Sequence, residues 1–386
     1  MQKNKKMINI NNPFIIKGYR GSELFCDRQN ELGMLLINAQ NGLDTTLISP
    51  RRMGKTGLLM RFFDYLKEEN IPFETIYIDI YASRSFHDFV RLLAEGILKK
   101  FPEKTSLGKK FMRVLKGFRP IISYDPISGE ARIQLMFQSC EEQEYTLQGL
   151  LAFLEVQNIS MILVIDEFQQ ILDYPETNTE ALLRSCIQSL KNIHFIFCGS
   201  RKAMMTDIFS NSKRPFYAST SYIALDKIEA RVYGEFIKQQ FEKYKRIIDD
   251  ASIEFILTWS KCHTYYTQCV CNMLFSMGEK NIGIEQVKKS CMQIIKQQES
   301  VFLQYRQLLT HAQWNYLIAV AKEDTVEQIT AQKFLQTYQI GTPANARRLN
   351  NALIDKELIL AVENKKTTVY QVYDVFLSRW LQTEYC

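Results

Sequence analysis

The sequence has no hydrophobic run long enough to cross a membrane. Its strongly apolar stretch Met161–Ile165 has five residues, whereas a helix that spans a bilayer needs roughly 18. The basic start, MQKNKKMINI, lacks the apolar core and the cleavage site of a signal peptide. There is also no internal repeat and no low-complexity segment, which argues against a solenoid. These absences predict a cytoplasmic protein without a membrane segment.

Neither the cysteine pattern nor the net charge identifies a metal site or a class of partner. The nine cysteines form no C-x-x-C pair, and only Cys269 and Cys271 lie close together. Such an odd, scattered set favours reduced thiols packed as small hydrophobic side chains over a metal site. The 48 Lys and Arg against 42 Asp and Glu leave a formal net charge of +6. An excess this mild permits nucleic acid or acidic partners but indicates neither.

A composition of 46% hydrophobic and 23% charged residues over 386 positions is typical of a soluble globular protein with two or three domains. In the first half, apolar runs alternate with segments of helical spacing, which predicts an α/β fold: a parallel sheet with helices on both faces. Between the second and third runs, a D-P-I-S-G turn predicts a β-hairpin insertion at about 120–137. The predicted sheet strands are Thr45–Ser49, Phe73–Tyr81, Met161–Phe168, His194–Ser200 and Ser221–Leu225.

From Asp226 onward the strands stop, and helices separated by short polar breaks follow. A last segment has the order of a winged helix, with three helices and then two β-prone runs around a polar turn. Its third helix has a clear start, because Thr342 is a good N-cap and Pro343 is favoured at the first helical position. The predicted domains are an α/β domain (1–225), an all-α lid (226–308) and a winged helix (309–386).

The strongest signal for function is Ser49–Thr56 (SPRRMGKT), between a predicted strand and a predicted helix. A phosphate-binding P-loop has the pattern G-x-x-x-x-G-K-[ST] in this context. Backbone N–H groups surround the phosphates, Lys55 reaches the β- and γ-phosphates, and the Thr56 hydroxyl ligates Mg²⁺. Ser49 replaces the first glycine and would be strained if that position requires a positive φ. Pro50 stiffens the loop and would offset such strain.

Two carboxylates end the third predicted strand. Asp166 and Glu167 follow five apolar residues, so a parallel sheet would carry them to the edge at which the P-loop lies. There Asp166 is placed to hold Mg²⁺ through water, and Glu167 to orient and deprotonate the attacking water. The alternative is a pair of ordinary acids at an exposed strand end.

Two further side chains are candidates for contact with the γ-phosphate. The fourth predicted strand ends at Gly199 and Ser200, and Ser200 would sense the γ-phosphate; an ordinary strand-ending turn is the alternative. Arg214 lies in a loop before the fifth strand, where it would act as an arginine finger in a neighbouring subunit. The alternative for Arg214 is a solvated surface charge.

Together these segments resemble the archaeal-type ATPases, a branch of AAA+-like, signal-transducing P-loop NTPases. The likeness runs over nearly the whole chain and includes Phe25–Leu32 (FCDRQNEL), similar to a signature that borders the adenine in relatives. The P-loop, the acid pair and Gly199-Ser200 are similar to the family's versions, and Thr264–Gln268 resembles its lid-helix motif. The resemblance implies ATP and Mg²⁺ as ligands. The residues expected at the nucleotide are Arg28, Pro50, Arg51, Arg52, Met53, Gly54, Lys55, Thr56 and Gly57.

The chain departs from the family pattern in two places. Relatives often have an arginine just after the loop that corresponds to Arg214–Tyr217, whereas this chain has Ala218-Ser219-Thr220. The lid motif usually begins with a Gly-His-Pro type of turn, whereas this chain has Cys262-His263-Thr264. The first departure concerns whether an arginine of this chain acts on the nucleotide of a neighbouring subunit. The second concerns how the lid closes over the nucleotide.

The winged helix has two alternative uses. Its third helix, Pro343–Leu358, carries Arg347 and Arg348 and would enter a major groove of DNA. Yet residues 301–386 contain nine Lys and Arg against eight Asp and Glu, a balance of +1, and dedicated DNA binders are far more basic. Docking onto protein is the alternative. The candidate base readers are Asn345, Asn350 and Asn351, and the aromatic residues expected in the core are Trp314, Tyr316, Phe376 and Trp380.

The leading hypothesis is a Mg²⁺-dependent ATPase of the AAA+, signal-transducing type, in which nucleotide binds between the α/β domain and the lid and repositions the C-terminal domain. A second hypothesis is an ATP-dependent DNA-binding regulator, and a third is a scaffold that holds ATP and hydrolyses it slowly. An unidentified protein partner and a homo-oligomer are compatible with all three. The predicted catalytic residues are Lys55, Glu167, Ser200 and Arg214, and the predicted metal ligands are Thr56 and Asp166.

Overall fold

The computed structural model describes residues 12–385 apart from 117, 119, 127–130, 136–139 and 364–366. The chain divides into two compact units. The first unit consists of residues 18–227, and the second combines residues 12–17 with residues 228–385.

The first unit is built on a five-stranded sheet. In chain order its elements are α1 (Gln29–Gln40), β1 (Thr45–Ile48), α2 (Lys55–Glu68), β2 (Glu74–Asp79), α3 (Phe86–Lys100), α4 (Ser106–Lys116), β3 (Ile121–Tyr124), β4 (Ala131–Gln134), α5 (Cys140–Glu155), β5 (Met161–Asp166), α6 (Thr179–Ile187), β6 (Ile193–Gly199), α7 (Lys202–Ser210) and β7 (Ser221–Ala224). The sheet strands pair in parallel in the order β2-β5-β6-β1-β7. These are the five predicted strands, so the predicted fold class is confirmed.

Helices cover both faces of this sheet, because successive strand residues point to opposite sides. Ile162 and Val164 of β5 pack in one core with α1 and α2. Leu163 and Ile165 belong to a second core, which includes residues of α3, α4 and α5. β5 is buried along its whole length, and its first five residues form a continuous apolar run that ends at Asp166.

The predicted β-hairpin insertion is present. Strands β3 and β4 pair antiparallel, with Ile121 opposite Gln134, and Arg132 donates a hydrogen bond to Asp125 over 2.6 Å. The tip of the predicted turn (127–130) and the last two residues of the predicted insertion (136–137) lie outside the described residues.

The second unit is mainly helical. Its elements are α8 (Ala230–Lys243), β8 (Ile247–Ile248), α9 (Asp250–Trp259), α10 (Thr264–Met277), β9 (Asn281–Ile282), α11 (Ile284–Leu308), α12 (His311–Lys322), α13 (Gln332–Thr337), α14 (Pro343–Asp355), β10 (Ile359–Glu363), β11 (Thr368–Val372) and α15 (Val375–Glu384). The structure adds the short parallel pair β8–β9 to the predicted helices. Two-residue strands are too short to show a hydrophobic period, so the sequence pattern cannot predict them.

Residues 12–17 group with this second unit, whereas the predicted domain boundaries count them with the α/β domain. Phe14 is buried and its ring centroid lies 4.8 Å from that of Phe241 in α8. The Asn12 side chain donates a hydrogen bond to the carbonyl of Asn272 in α10 over 2.9 Å. The division of the second unit into a lid and a winged helix stays a prediction.

The C-terminal part of the second unit has the predicted winged-helix order. Strands β10 and β11 follow α14 as an antiparallel pair, and the Thr342 hydroxyl caps α14 by accepting the Asn345 N–H over 3.2 Å. Helix α15, which the pattern analysis does not predict, contributes Phe376 and Trp380 to the core. The four aromatic residues expected in the core are at most 4% exposed: Trp314, Tyr316, Phe376 and Trp380.

The structure corrects one candidate base reader. Asn350 is 1% exposed, and it accepts a hydrogen bond from the Tyr316 hydroxyl over 3.4 Å. It lies on the inner face of α14 with the buried residues Ala346, Leu349 and Leu353, so it cannot reach a DNA base.

Among the helices of the described residues, none is long and apolar enough to cross a lipid bilayer.

Candidate functional site

The loop between β1 and α2 turns the chain through two residues with positive φ. Arg52 has a φ of 65° and Gly54 a φ of 97°, and the value at Gly54 suits a residue without a Cβ. Ser49 is not among the residues with positive φ, so the strain considered at that position does not arise. The buried Ser49 N–H donates to the carbonyl of Gly199 over 3.2 Å, which ties the start of the loop to β6.

Helix α2 begins at Lys55, directly after this loop. The first N–H groups of a helix have no partner within it, and with the helix dipole they favour a bound anion. Thr56 is exposed at this helix start, whereas Lys55 and Met53 are buried. The loop therefore has the features of a phosphate cradle with one buried cation beside it.

The ammonium group of Lys55 lies between two carboxylates. Its Nζ is 2.5 Å from Asp166 Oδ1 and 3.1 Å from Glu167 Oε1. The side chains of Lys55, Asp166 and Glu167 are only 9%, 5% and 18% exposed. Because one cation faces two anions, this Lys55–carboxylate cluster keeps a net negative charge in a place with little water.

Glu167 is held in an unusual conformation at the end of β5. Its φ of 57° and ψ of 42° lie in the left-handed region, which costs a non-glycine residue free energy and is enriched at functional sites. Its Oε2 accepts hydrogen bonds from the Ser200 hydroxyl (2.7 Å) and from the Gln169 amide (2.5 Å). With Lys55 on Oε1, both oxygens of this carboxylate have donors.

The end of β6 leaves room for this arrangement only because Gly199 has no side chain. A Cβ at that position would lie 2.4 Å from Gln169 Oε1 and 2.4 Å from the Met205 side chain, closer than side chains pack. Gly199 therefore lets Gln169, which is 4% exposed, approach the strand and point its amide at Glu167.

Lys55 and its carboxylate partner Glu167 each shift the pKa of the other so that both keep their charge. Burial alone would lower the pKa of Lys55, but the carboxylates of Asp166 and Glu167 raise it above its ordinary value. Burial alone would raise the pKa of Glu167, but Lys55, Ser200 and Gln169 lower it. Glu167 is therefore a charged hydrogen-bond acceptor at neutral pH.

Asp166 has a partner on the neighbouring strand as well. The Tyr77 hydroxyl in β2 donates to Asp166 Oδ2 over 2.7 Å. Burial, and then the charge of Asp166, raise the pKa of Tyr77 above its ordinary value, so the phenol keeps the proton that it donates. The Glu167 N–H donates to Asp166 Oδ1 over 2.9 Å.

Two predicted site residues have other partners. The Arg28 guanidinium donates to Glu31 (2.9 Å) and to the carbonyl of Asp226 (2.6 Å), so it anchors the segment before α1. Arg214 donates through Nε to Asp207 (2.8 Å) and through a terminal nitrogen to Glu180 (3.1 Å). For either arginine, a role at the nucleotide stays a prediction.

The structure thus brings together Lys55, Asp166, Glu167 and Ser200, which lie at the start of α2 after β1, at the end of β5 and after β6, three strands that parallel pairing places side by side. The sequence pattern does not predict Gln169 or Tyr77 at this site. The position of Gln169, two residues after Glu167, is the one feature that suggests it. Tyr77 lies in β2, and nothing in the sequence shows that β2 pairs with β5.

The oxygen donors of the site suit magnesium. In the described part of the chain, no group of three or more His, Cys, Asp or Glu is placed to hold a metal ion by itself. The Thr56 hydroxyl and the Asp166 carboxylate are hard donors, and Mg²⁺ is usually bound by one or two such protein oxygens together with phosphates and water. The residues therefore fit Mg²⁺ that arrives with a nucleotide, not a cage made of protein ligands alone.

Two families match the chain. Residues 25–263 match the family described as ATPase domain predominantly from Archaea. The chain belongs to this family. Residues 300–383 match the family described as probable winged helix domain, so the ATPase is followed by the domain that the helix and strand order predicts.

Solved structures share the fold of this chain. The Walker-type ATPase PABY2304 of Pyrococcus abyssi aligns with a TM-score of 0.65 and 18% identity over 96% of this chain and 99% of that chain. The Aeropyrum pernix ORC2 protein, in ADPNP-ADP complexes, aligns with a TM-score of 0.59 and 15% identity over 97% and 98%. The Aeropyrum pernix ORC1 protein in complex with DNA aligns with a TM-score of 0.50 and 12% identity over 94% and 94%. A comparison with curated protein sequences gives no match.

Proposed function

We propose that this protein binds Mg²⁺-ATP at the loop 49–56 and hydrolyses it, and that the winged helix is its output domain. The observation that carries the proposal is the position of Lys55, buried between Asp166 and Glu167 at the start of α2. One cation, two carboxylates and a helix N-terminus are the parts that a protein supplies, together with Mg²⁺, for phosphoryl transfer to water.

Lys55 has a different partner in each state of the proposed cycle. Without nucleotide, its ammonium group pairs with both buried carboxylates. When the β- and γ-phosphates enter the loop, they carry more negative charge than Asp166 and Glu167 together, so Lys55 turns to them. Mg²⁺ would be held by Thr56 and Asp166 and would supply the positive charge that the carboxylates then lack.

Departure of Lys55 frees one oxygen of Glu167 for a water molecule. Ser200 and Gln169 still hold Oε2, so the carboxylate keeps its orientation while Oε1 accepts a proton from the attacking water. Ser200 follows β6, the strand between β5 and β1, and in this step its hydroxyl proton stays directed at Glu167; a contact with the γ-phosphate would require this hydrogen bond to break. Arg214 would have to leave Asp207 and Glu180 before it could reach a phosphate, so we give it no part in this step.

A DNA-binding output remains the second candidate, and one observation favours it. Arg347, Arg348 and Asn351 are exposed on the outer face of α14, and the solved ORC1 relative in fold is a complex with DNA. The charge balance of +1 over residues 301–386 weighs against it. A steep salt dependence of duplex binding that disappears when Arg347 and Arg348 are both replaced by Ala would establish this output.

The proposed nucleotide site is tested by Lys55→Ala, with Lys67→Ala as a matched control on the same helix, where the Lys67 side chain is 73% exposed. Calorimetry with ATP and Mg²⁺ should show binding to the wild type and to Lys67→Ala, and at least a hundredfold loss of affinity in Lys55→Ala, since the phosphates lose their side-chain cation. Wild-type affinity in Lys55→Ala would refute the site.

A further inference from the structure

Tyr77 reaches Asp166 from the strand beside it. It lies opposite Val164 of β5, on the sheet face that packs with α1 and α2, whereas Ile76 and Ile78 on either side of it point to the other core. Tyr77 is half-buried, and its hydroxyl is 2.7 Å from Asp166 Oδ2. The position of this hydroxyl is therefore set by the pairing of two sheet strands.

The two oxygens of Asp166 have different kinds of partner. Oδ1 accepts from Lys55 and from the Glu167 N–H, at 2.5 and 2.9 Å, and Oδ2 accepts from Tyr77. In the proposed cycle Lys55 leaves, but the other two donors stay, because one is backbone and the other belongs to the sheet. These two hydrogen bonds then fix the rotation of the carboxylate, with Oδ2 turned to β2 and Oδ1 turned to the loop.

We propose that Tyr77 is a positioning residue that holds the Asp166 carboxylate in the orientation that binds Mg²⁺ together with ATP. The inference rests on the proposed function, because it concerns the same site. Hydrogen-bonding partners behind a metal ligand typically change metal affinity by about 10–100-fold when they are removed. If Tyr77 only filled space between β2 and the helices, removal of its hydroxyl with retention of the ring would leave the Mg²⁺ affinity unchanged.

The test compares Tyr77→Phe with wild type and with Tyr81→Phe, a control in the same segment whose side chain is 60% exposed. Calorimetry with a non-hydrolysable ATP analogue gives its affinity without Mg²⁺ and over a Mg²⁺ titration. Tyr77→Phe should bind the analogue without Mg²⁺ as the wild type does, but need about tenfold more Mg²⁺ for the half-maximal gain in affinity. Saturating Mg²⁺ should restore its affinity, and Tyr81→Phe should match the wild type throughout.

An unchanged Mg²⁺ midpoint in Tyr77→Phe would overturn the inference while leaving the ATP site intact. So would an equal loss of analogue affinity with and without Mg²⁺, because that result means a packing role. If the wild type itself binds no analogue, the proposed function fails, and the inference fails with it.

Discussion

Each unit of this protein contains a partly buried ion cluster, and the two clusters have opposite compositions. In the first unit one cation, Lys55, faces two carboxylates. In the second unit one carboxylate, Asp324, faces two cations: its Oδ1 is 3.0 Å from Lys261 and 3.1 Å from Arg379. We call this second group the Asp324 cluster.

The two clusters differ in the groups that lie next to their surplus charge. The cations of the Asp324 cluster have backbone acceptors as well, since Lys261 donates to the carbonyl of Asp324 over 3.1 Å and Arg379 to that of Trp259 over 3.0 Å. The surplus negative charge of the Lys55–carboxylate cluster lies beside a loop suited to anions and an exposed hydroxyl. In the proposed cycle the first cluster exchanges its partners for a ligand, whereas the second joins segments of one unit.

Breaking the Asp324 cluster should change stability and leave the nucleotide site alone. Asp324→Asn keeps the shape and tolerates the left-handed backbone at this position (φ 60°), but it leaves two cations without their carboxylate. We expect the second unit to lose about 1–2 kcal/mol of its free energy of unfolding, a modest value because Asp324 is 45% exposed. Urea denaturation followed by tryptophan fluorescence measures it, since Trp259, Trp314 and Trp380 all lie in this unit.

The contribution of Asp324 to the free energy of unfolding depends on pH. Burial alone would raise the pKa of Asp324, but Lys261 and Arg379 lower it. Its contribution is therefore complete above the ordinary pKa near 4 and is lost as the pH falls through the lowered value. The exposed Asp355→Asn should have almost no effect on stability. An Asp324→Asn variant as stable as the wild type at pH 7 would mean that the Asp324 cluster does not stabilise the second unit.

The two clusters also differ in what the sequence predicts of them. Lys55 stands in a recognisable loop, and Asp166 and Glu167 end an apolar run, so parallel pairing of the strands suffices to bring them together. Lys261, Asp324 and Arg379 are 63 and 55 positions apart and belong to no local pattern. Their contact depends on how α9, α12 and α15 pack, and α15 itself was not predicted. Tyr77 was missed for the same reason, because its contact depends on strand order.

A third carboxylate, in the first unit, has a backbone N–H group as its close partner. Asp44, just before β1, accepts the Phe195 N–H over 2.8 Å, and burial raises its pKa to about 6 although this hydrogen bond and Arg184 lower it. Between pH 4 and pH 6 the folded state binds more protons than the unfolded state, so stability falls as the pH rises through this window. Asp44→Asn keeps the acceptor and avoids the buried charge, and we expect it to stabilise the first unit by about 1–2 kcal/mol at pH 7.5.

Hydrogen exchange of β1 and β6 amides, compared between variant and wild type at each pH, measures this gain in a unit that has no tryptophan. The gain should shrink toward zero as the pH is lowered from 6 to 4. The exposed Asp173→Asn serves as the control, and a gain that is the same at pH 4 and pH 7.5 would mean that the titration of Asp44 is not its cause.

In the proposed function, the Lys55–carboxylate cluster hydrolyses ATP with Glu167 as the base. The most direct measurement is ATP turnover with saturating Mg²⁺-ATP in the wild type, in Glu167→Gln and in the exposed control Glu103→Gln, with ATP affinity determined on the same samples. Glu167→Gln should bind ATP at least as tightly as the wild type, because a negative charge near the phosphates is gone, and its kcat should fall at least about tenfold, as positioned general bases contribute 10²–10⁴-fold. Glu103→Gln should behave as the wild type. Equal turnover in Glu167→Gln and wild type, or ATP binding without turnover in the wild type, would contradict the claim.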